Sequence, residues 1–390
     1  MKEPLQGSPR ASASHYGIHF RLARNAAPAI LRAQQGEKLR KIGLIGFGYW
    51  GTHLFRNLST SPDFQLAAVA DVSETRLAEM RRSYSAGRIT ASALDVIEDN
   101  AIEAVAIATP VGTHFDLARR AILAGKHVLL EKPMCATVAE AEELVALAAR
   151  QGVVLMVDHT FLFTGAVQRI TEIVRAGEFG RICYYDSMRV NLGLFQPDVN
   201  VLWDLAPHDL SILDHLVDEE PIQIDASGYC HVNQHLPDIV YLTLHYASPI
   251  VAHLNLSWMS PVKVRRIAIG GTNKMIVWDD LNREETVKVY NSGIQVQAED
   301  QRPVIIPAYR IGDIYSPRLA SREALSSVIE HFAEVISGKA KSIMSGERGL
   351  RIVRILEASQ KVLNESIQRD RNSRQSISDG EAVQTNVLIR

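Results

Sequence analysis

Ile42-Gly43-Leu44-Ile45-Gly46-Phe47-Gly48-Tyr49-Trp50-Gly51 is the stretch whose reading decides the fold. A short apolar run passes straight into Gly-x-Gly-x-x-Gly, and a helical pattern follows to near Leu58. After a strand and at the start of a helix, the three glycines permit in turn a tight turn, close approach of backbone to a pyrophosphate, and close packing of helix on sheet. The helix N-terminus adds unpaired N–H groups that suit a diphosphate. A second apolar run, residues 64–70, ends at Asp71, about 20 residues past Gly51. A carboxylate at that distance accepts hydrogen bonds from an adenosine ribose and repels a 2′-phosphate. The reading is a dinucleotide site built from Gly46, Phe47, Gly48, Tyr49, Trp50, Gly51 and Asp71, with NAD preferred to NADP. Arg76, a guanidinium able to pair with phosphate, tempers that preference, and a plain turn aspartate is the alternative reading of Asp71.

Outward from this motif the pattern alternates. Helical spacing at 74–84, an apolar run at 104–108, a helix at 113–123 stopped by Gly125, a strand at 127–130, a helix at 138–150 closed by Gly152 and a strand at 153–157 predict a doubly wound parallel sheet, a Rossmann domain over residues 40–158. The near-continuous apolar strands suit a sheet covered on both faces. After Asp158 the period changes. Residues 182–190, 240–246, 250–258, 264–269, 274–278 and 285–290 read as strands with partial alternation, separated by Ser248-Pro249, Ser260-Pro261 and Gly270-Gly271 turns. With helices at 324–336 and 349–364, they predict an α+β domain over 159–365, a large, mostly antiparallel, open-faced sheet for substrate and oligomerisation. Residues 1–39 read as a loosely packed or disordered extension and 366–390 as a polar tail.

Composition narrows the partners. The 390 residues exceed what one core usually holds, so two domains with a cleft between them are expected. With 46% hydrophobic and 22% charged residues and a net charge of −2, nothing favours nucleic acid or an anionic membrane, and a small molecule is the default partner. Cys135, Cys183 and Cys230 form neither a disulfide framework nor a CxxC site, so the chain reads as reduced and cytoplasmic. No apolar run approaches the ~18 residues of a membrane span. The first forty residues are rich in Arg, Ser and Ala, but Arg21, Arg24 and Arg32 interrupt any secretory core; a frayed or mis-started tail reads better than a transit peptide.

Ala108-Thr109-Pro110, Thr113-His114, Glu131-Lys132-Pro133, Asp204-Leu205-Ala206-Pro207-His208 and Gly346-Glu347-Arg348-Gly349-Leu350 occur in an order that resembles the Gfo/Idh/MocA family, the relatives of glucose-fructose oxidoreductase and inositol dehydrogenase. The resemblance covers roughly residues 41–365 and leaves the two tails aside. It implies that Lys132 is the catalytic lysine, with Asp204 and His208 as its partners, and that a cis peptide often precedes the following proline. It also implies that Thr109, Pro110, His114, Glu131, Lys132 and Pro133 border the cofactor. Asp158-His159-Thr160-Phe161-Leu162-Phe163, with Arg189 through Phe195, is similar to the subset that oxidises nucleotide sugars such as UDP-N-acetylglucosamine at carbon 3. Lys132, Arg189 and His208 are then substrate contacts, and Asn191 and Trp203 suit a sugar by an amide for hydroxyls and a ring for an apolar face, with a buried core tryptophan as the alternative reading of Trp203. The chain departs from many relatives in having Val201-Leu202-Trp203 where a glycine pair precedes the aspartate, which leaves pocket shape and substrate open.

The residues themselves carry part of this chemistry. An ammonium at the C-terminal edge of a parallel sheet can hold a reacting oxygen and stabilise charge on it. A spacing of four places Asp204 and His208 on one face of a helical turn. The alternative is that Asp204 is only a helix N-cap, with Pro207 tolerated in the first turn. His208 suits a proton acceptor, pulled one way by Asp204 and the other by Lys132. His208, Asp209 and His215 do not space as metal ligands, so no metal is expected. The leading function is an oxidoreductase acting on a sugar or nucleotide-sugar secondary hydroxyl; a free polyol or aldose dehydrogenase, such as one for an inositol, and a non-catalytic dinucleotide-sensing regulator are the competing readings. A sheet with helices for one face must cover the other, so a homodimer or homotetramer is expected.

Overall fold

The computed structural model describes residues 39–83, 87–193, 195, 199–296, 307–310 and 312–378. The expected extension therefore lies outside the described residues except for Leu39. The first half runs β1 (Arg40–Ile45), α1 (Tyr49–Ser59), β2 (Phe64–Ala70), α2 (Glu74–Ser83), β3 (Arg88–Thr90), α3 (Ala93–Ile97), β4 (Ala104–Ile107), α4 (His114–Leu123), β5 (His127–Glu131), α5 (Val138–Gln151) and β6 (Leu155–Asp158). All six strands are parallel, in the order β3-β2-β1-β4-β5-β6. The strand order reverses between β1 and β4, and such a sheet opens its crevice at the C-terminal ends there. The glycine turn after β1, Thr109 after β4 and Lys132 after β5 all lie on that edge. β4 is buried at every position, as a strand covered on both faces must be. The three-residue β3 has no apolar run and escaped the sequence reading.

A 3₁₀ turn at Thr160–Phe163 leads into the second half. It contains α6 (Gly165–Arg175), β7 (Ile182–Leu192), α7 (Val201–Val217), β8 (Gln223–Tyr229), β9 (Ile239–His245), β10 (Val251–Ser257), β11 (Met259–Gly271), β12 (Met275–Asp279), β13 (Val287–Tyr290), β14 (Gly293–Val296), β15 (Pro307–Arg310), β16 (Ile314–Tyr315), α8 (Ala324–Ile336) and α9 (Gly346–Ser378). Eight strands form one sheet in the order β16-β13-β12-β11-β7-β10-β9-β8, and β14 and β15 form a separate ribbon. The large sheet is antiparallel except where β7 meets β10. β8 was not foreseen, because Asp225 and Gly228 are poor strand formers and mask its alternation. Helices α7 and α9 pack on one face of the sheet.

The chain does not end in a loose tail at residue 366. Helix α9 continues to Ser378, held by a bond from Tyr229 Oη to Asp370 Oδ2 at 2.9 Å and by Arg371 on the Gln234 carbonyl. Its N-terminal region also returns to the first half. Val157 N–H donates to the Met344 carbonyl at 3.0 Å, Val138 N–H to Glu357 Oε1 at 3.1 Å, and Arg354 pairs with Glu142 at 2.9 Å. One buried apolar cluster runs from Ile42 and Leu44 through Leu202 and Leu210 to Leu254 and Trp278, so the two sheets share a core. No helix among the described residues is long and apolar enough to cross a membrane.

Candidate active site

The glycine turn has the shape its sequence predicts. Gly46 sits at φ +95°, and a Cβ there would meet the Ala108 carbonyl oxygen at 2.4 Å; a Cβ on Gly51 would meet the Gly46 carbonyl oxygen at 2.2 Å. Gly48 is different. A Cβ there would find only Arg76 Nη1, 3.9 Å away, so this glycine keeps space open at the start of α1. Open backbone at a helix N-terminus fits a diphosphate. Asp71 ends β2 beside the turn, where Oδ2 accepts the Phe47 N–H at 2.6 Å and Oδ1 accepts the Ser73 N–H at 2.8 Å. Arg76 reaches the same carboxylate at 3.5 Å. Asp71 thus shapes the loop, and a carboxylate with about four acceptor positions retains capacity for ribose hydroxyls. Tyr49 is exposed, Phe47 packs edge-on against Phe55, and Trp50 lines a small cavity facing the second half.

On the neighbouring strand ends the residues separate into two groups. Thr109 Oγ1 accepts the Thr113 hydroxyl at 2.8 Å, and Thr113 makes no cap bond to α4. His114 is not at the cofactor surface. Its Nδ1 lies 2.9 Å from the Pro133 carbonyl and its Nε2 2.8 Å from the Thr109 carbonyl, so the buried ring ties the β4 loop to the Glu131-Lys132-Pro133 turn. Burial lowers its pKa, against the backbone bonds that favour the charged ring. The Lys132–Pro133 peptide is cis.

Lys132 reaches across to the second half. Its Nζ donates to the Asp204 carbonyl at 2.8 Å and to Asp204 Oδ1 at 3.2 Å. Asp204 is not the N-cap of α7. Asn200 is, its Oδ1 accepting from Leu202 N at 3.0 Å and Trp203 N at 3.2 Å, which leaves the aspartate free for the lysine. Pro207 therefore sits in the second turn, not the first, where it removes the donor to the Trp203 carbonyl and its ring presses on that turn. The adjacent Asp204 carbonyl is the one that accepts Lys132. The other Asp204 oxygen accepts from Trp258 Nε1 at 3.3 Å.

His208 lies one turn beyond Asp204, edge-on to Phe161 with ring centres 5.0 Å apart, and its buried Nδ1 has no partner. Burial, then Lys132, Arg189, Arg265 and His159, holds its pKa well below the usual histidine value. Asp204, expected to pull the other way, is itself engaged by Lys132 and Trp258, and the cations and burial prevail at His208. His208 is thus a neutral imidazole.

Two expected sugar contacts are engaged by other side chains. Arg189 is held by a buried bidentate pair with Asp209, Nε to Oδ2 at 2.8 Å and Nη2 to Oδ1 at 2.7 Å, and its guanidinium lies 4.6 Å over the Phe161 ring. Trp203 turns toward α9, donating from Nε1 to Gln360 Oε1 at 3.1 Å, because helical spacing puts it on a different face from Asp204 and His208. Asn191 keeps a buried Oδ1 without a partner, an acceptor suited to a hydroxyl. Asp209 is spent on Arg189, and His215 lies beside Arg175. The sequence reading missed Trp258, Phe161 and Arg265, which border His208 or Asp204 only through strand and turn pairing.

A strand-turn-helix diphosphate cradle, and a lysine on one sheet joined to an Asp-x-x-x-His turn above another, are the geometry that the comparisons meet. Residues 40–159 match the family described as "Oxidoreductase family, NAD-binding Rossmann fold", and residues 167–277 match "GFO/IDH/MocA C-terminal domain". The chain belongs to the Gfo/Idh/MocA oxidoreductase family. It is an NAD-binding, NAD(P)-dependent oxidoreductase of that family, whose relatives include sugar and polyol dehydrogenases. Among its Gfo/Idh/MocA relatives, UDP-N-acetylglucosamine 3-dehydrogenase of Acidithiobacillus ferrooxidans is 29% identical over 316 residues, 80% of this chain and 94% of that protein. A solved structure of that enzyme superposes with a TM-score of 0.72 at 26% identity, covering 85% of this chain and 99% of the other. The scyllo-inositol 2-dehydrogenase (NADP(+)) of Bacillus subtilis is 25% identical over 354 residues, 85% of this chain and 95% of that one.

Proposed function

We propose that this chain oxidises a secondary hydroxyl of a sugar or nucleotide sugar, with carbon 3 of a UDP-N-acetylhexosamine as the leading substrate. The observation that carries the chemistry is the Lys132 contact: Nζ at 2.8 Å from the Asp204 carbonyl brings the lysine of one sheet to the aspartate-histidine turn of the other. In this reading Lys132 orients the substrate oxygen and stabilises charge on it. Asp204 holds the ammonium, and neutral His208 takes the hydroxyl proton. Asn191 Oδ1 accepts from a neighbouring hydroxyl. The nicotinamide, when bound at the glycine turn, supplies the two-electron acceptor. The nucleotide-sugar assignment is supported by the coverage shared with the Acidithiobacillus enzyme.

The test is incubation with NAD and a panel of nucleotide sugars and free polyols, following nicotinamide absorbance and substrate mass. Loss of two hydrogens from UDP-N-acetylglucosamine, abolished in Lys132→Met and reduced ~10²- to 10⁴-fold in His208→Asn, is the expected result. Turnover of an inositol in preference would favour the polyol reading, which the inositol dehydrogenase relatives support. NAD binding with no turnover of any hydroxyl substrate would leave the sensing regulator.

A further inference from the structure

Glu131 and Asp158 end the adjacent parallel strands β5 and β6 and stand opposite each other in register. Both are buried, at 8% and 2% exposure. Lys132 N–H donates to Glu131 Oε2 at 3.1 Å, and Thr160 Oγ1 donates to Asp158 Oδ1 at 2.6 Å. Asp158 Oδ2 is buried with no hydrogen-bond partner among the described residues, and the Glu131 carboxyl stands opposite it in register. Two facing buried carboxylates repel strongly, whereas one proton held between them gives that orphaned oxygen its donor. The pair lines the small cavity that also touches His208, Phe161 and Trp50.

His208 has a difficulty that this cavity answers. Once it takes the substrate's proton, the imidazolium stands among Lys132, Arg189 and Arg265, which disfavour it. The proton must move on, and the carboxyl pair is the acidic group lining the same cavity, which has room for a bridging water. We propose that Glu131 and Asp158 share one proton at rest and accept a second from His208, acting as the onward relay for the hydroxyl proton of the substrate. The inference rests on the role assigned to His208 above. In balance, the carbinol C–H pair of electrons leaves for the nicotinamide and the O–H pair becomes the second carbonyl bond. The proton passes to His208 and then to Asp158, taking the carboxyl pair from one negative charge to none; its release to water restores the resting state.

The charged and titratable groups that face the pair are Lys132 and His159, each next in the chain, and His208 from α7. Burial, then the Asp158 charge, holds Glu131 well above the usual carboxylate range, against Lys132 and its N–H. Burial pushes Asp158 up to about 6, against the Thr160 hydroxyl. Asp158, at about 6, is therefore placed to gain a proton while burial keeps His208 toward its neutral form.

The test combines one spectrum with one profile. Infrared titration of the full chain without substrate should show a protonated buried carboxyl at pH 7.5 and a second protonation near pH 6, the first lost in Glu131→Gln and the second in Asp158→Asn. With the substrate identified by turnover, kcat should fall on the acid side near pH 6 in the native protein. Asp158→Asn should lose that limb and ~10²-fold in rate, with NAD affinity and melting temperature unchanged. Glu131→Gln, which gives Asp158 a permanent donor, should move the limb to lower pH. No protonated carboxyl at pH 7.5, or an Asp158→Asn enzyme with the native rate and limb, overturns the relay alone. Absence of turnover with every hydroxyl substrate overturns it together with the dehydrogenase reading.

Discussion

Asp71 and His159 show how single side chains set measurable properties. Asp71 meets the Phe47 and Ser73 amides, which fix its carboxylate beside the glycine turn, and a carboxylate at the end of that strand disfavours a 2′-phosphate. NAD should bind more tightly than NADP in an equilibrium titration, and Asp71→Ala should narrow the gap while weakening NAD, because the loop loses its anchor. Tighter NADP binding by the native chain would refute this. His159 is 2% exposed, with both ring nitrogens unpartnered, and burial followed by Lys132 lowers its pKa from 6.5 to about 3. A folded pKa below the unfolded one gives stability that is whole above 6.5 and is lost as pH falls toward the folded value. Between pH 7 and 5 the loss is about 2 kcal/mol, at roughly 1.4 kcal/mol per pH unit below 6.5. His215, lowered to about 4 by burial and Arg175, acts in the same direction. Urea midpoints measured at both pH values should differ by less in His159→Gln than in the native chain; an equal difference would remove His159 as a cause. At this scale the glycines and Asp71 were legible from the sequence, because motif spacing determines where they sit, and Lys132 was singled out through the family resemblance. Trp258 and Asp158 were not, since each meets its partner across strands that the chain brings together from far apart.

Helix α7 carries more of the site than any other element, and its placement rests on a pair at its middle. Asp209 on α7 and Arg189 on β7 form a bidentate bridge with side chains 1% and 5% exposed. Removing one partner leaves a buried charge, so Asp209→Ala should cost about 3–5 kcal/mol in urea unfolding. The double variant Asp209→Leu, Arg189→Met should recover much of that loss, since apolar side chains of similar volume need no partner. A single variant within ~1 kcal/mol of the native chain would show the pair to be solvated and weak. The register that puts Asp204 and His208 on one helical face was readable in advance, although the full helix around it was not predicted. Its cap was not: Asn200 and Asp204 are both good N-caps, and what decides between them is the Lys132 ammonium waiting on the other sheet for the aspartate. Arg189 misled for a related reason, because an arginine on a strand near a site looks free until the helix opposite supplies its carboxylate.

Among the described residues, no helix packs on one broad face of the large sheet. Helices α7 and α9 pack on the other face, while Tyr184 and Met188 on β7, Tyr241 on β9 and Val251 on β10 remain between 36% and 43% exposed. A face of that kind is buried between copies in stable assemblies, so light scattering at micromolar concentration should show a dimer or tetramer, and Met188→Asp with Tyr241→Asp should shift it toward monomer. A native monomer would refute the assignment. The sequence by itself determined the parallel sheet and the dinucleotide turn, because these depend on local period and on spacing along the chain, whereas the lysine, aspartate and histidine were singled out through the family resemblance. Only the tertiary structure decided that His114 braces two loops, that Trp203 faces α9 and Arg189 is consumed by Asp209, and that Glu131 meets Asp158. Each of these depends on which side chain stands opposite, and that is set by strand order and helix packing between residues far apart in the chain.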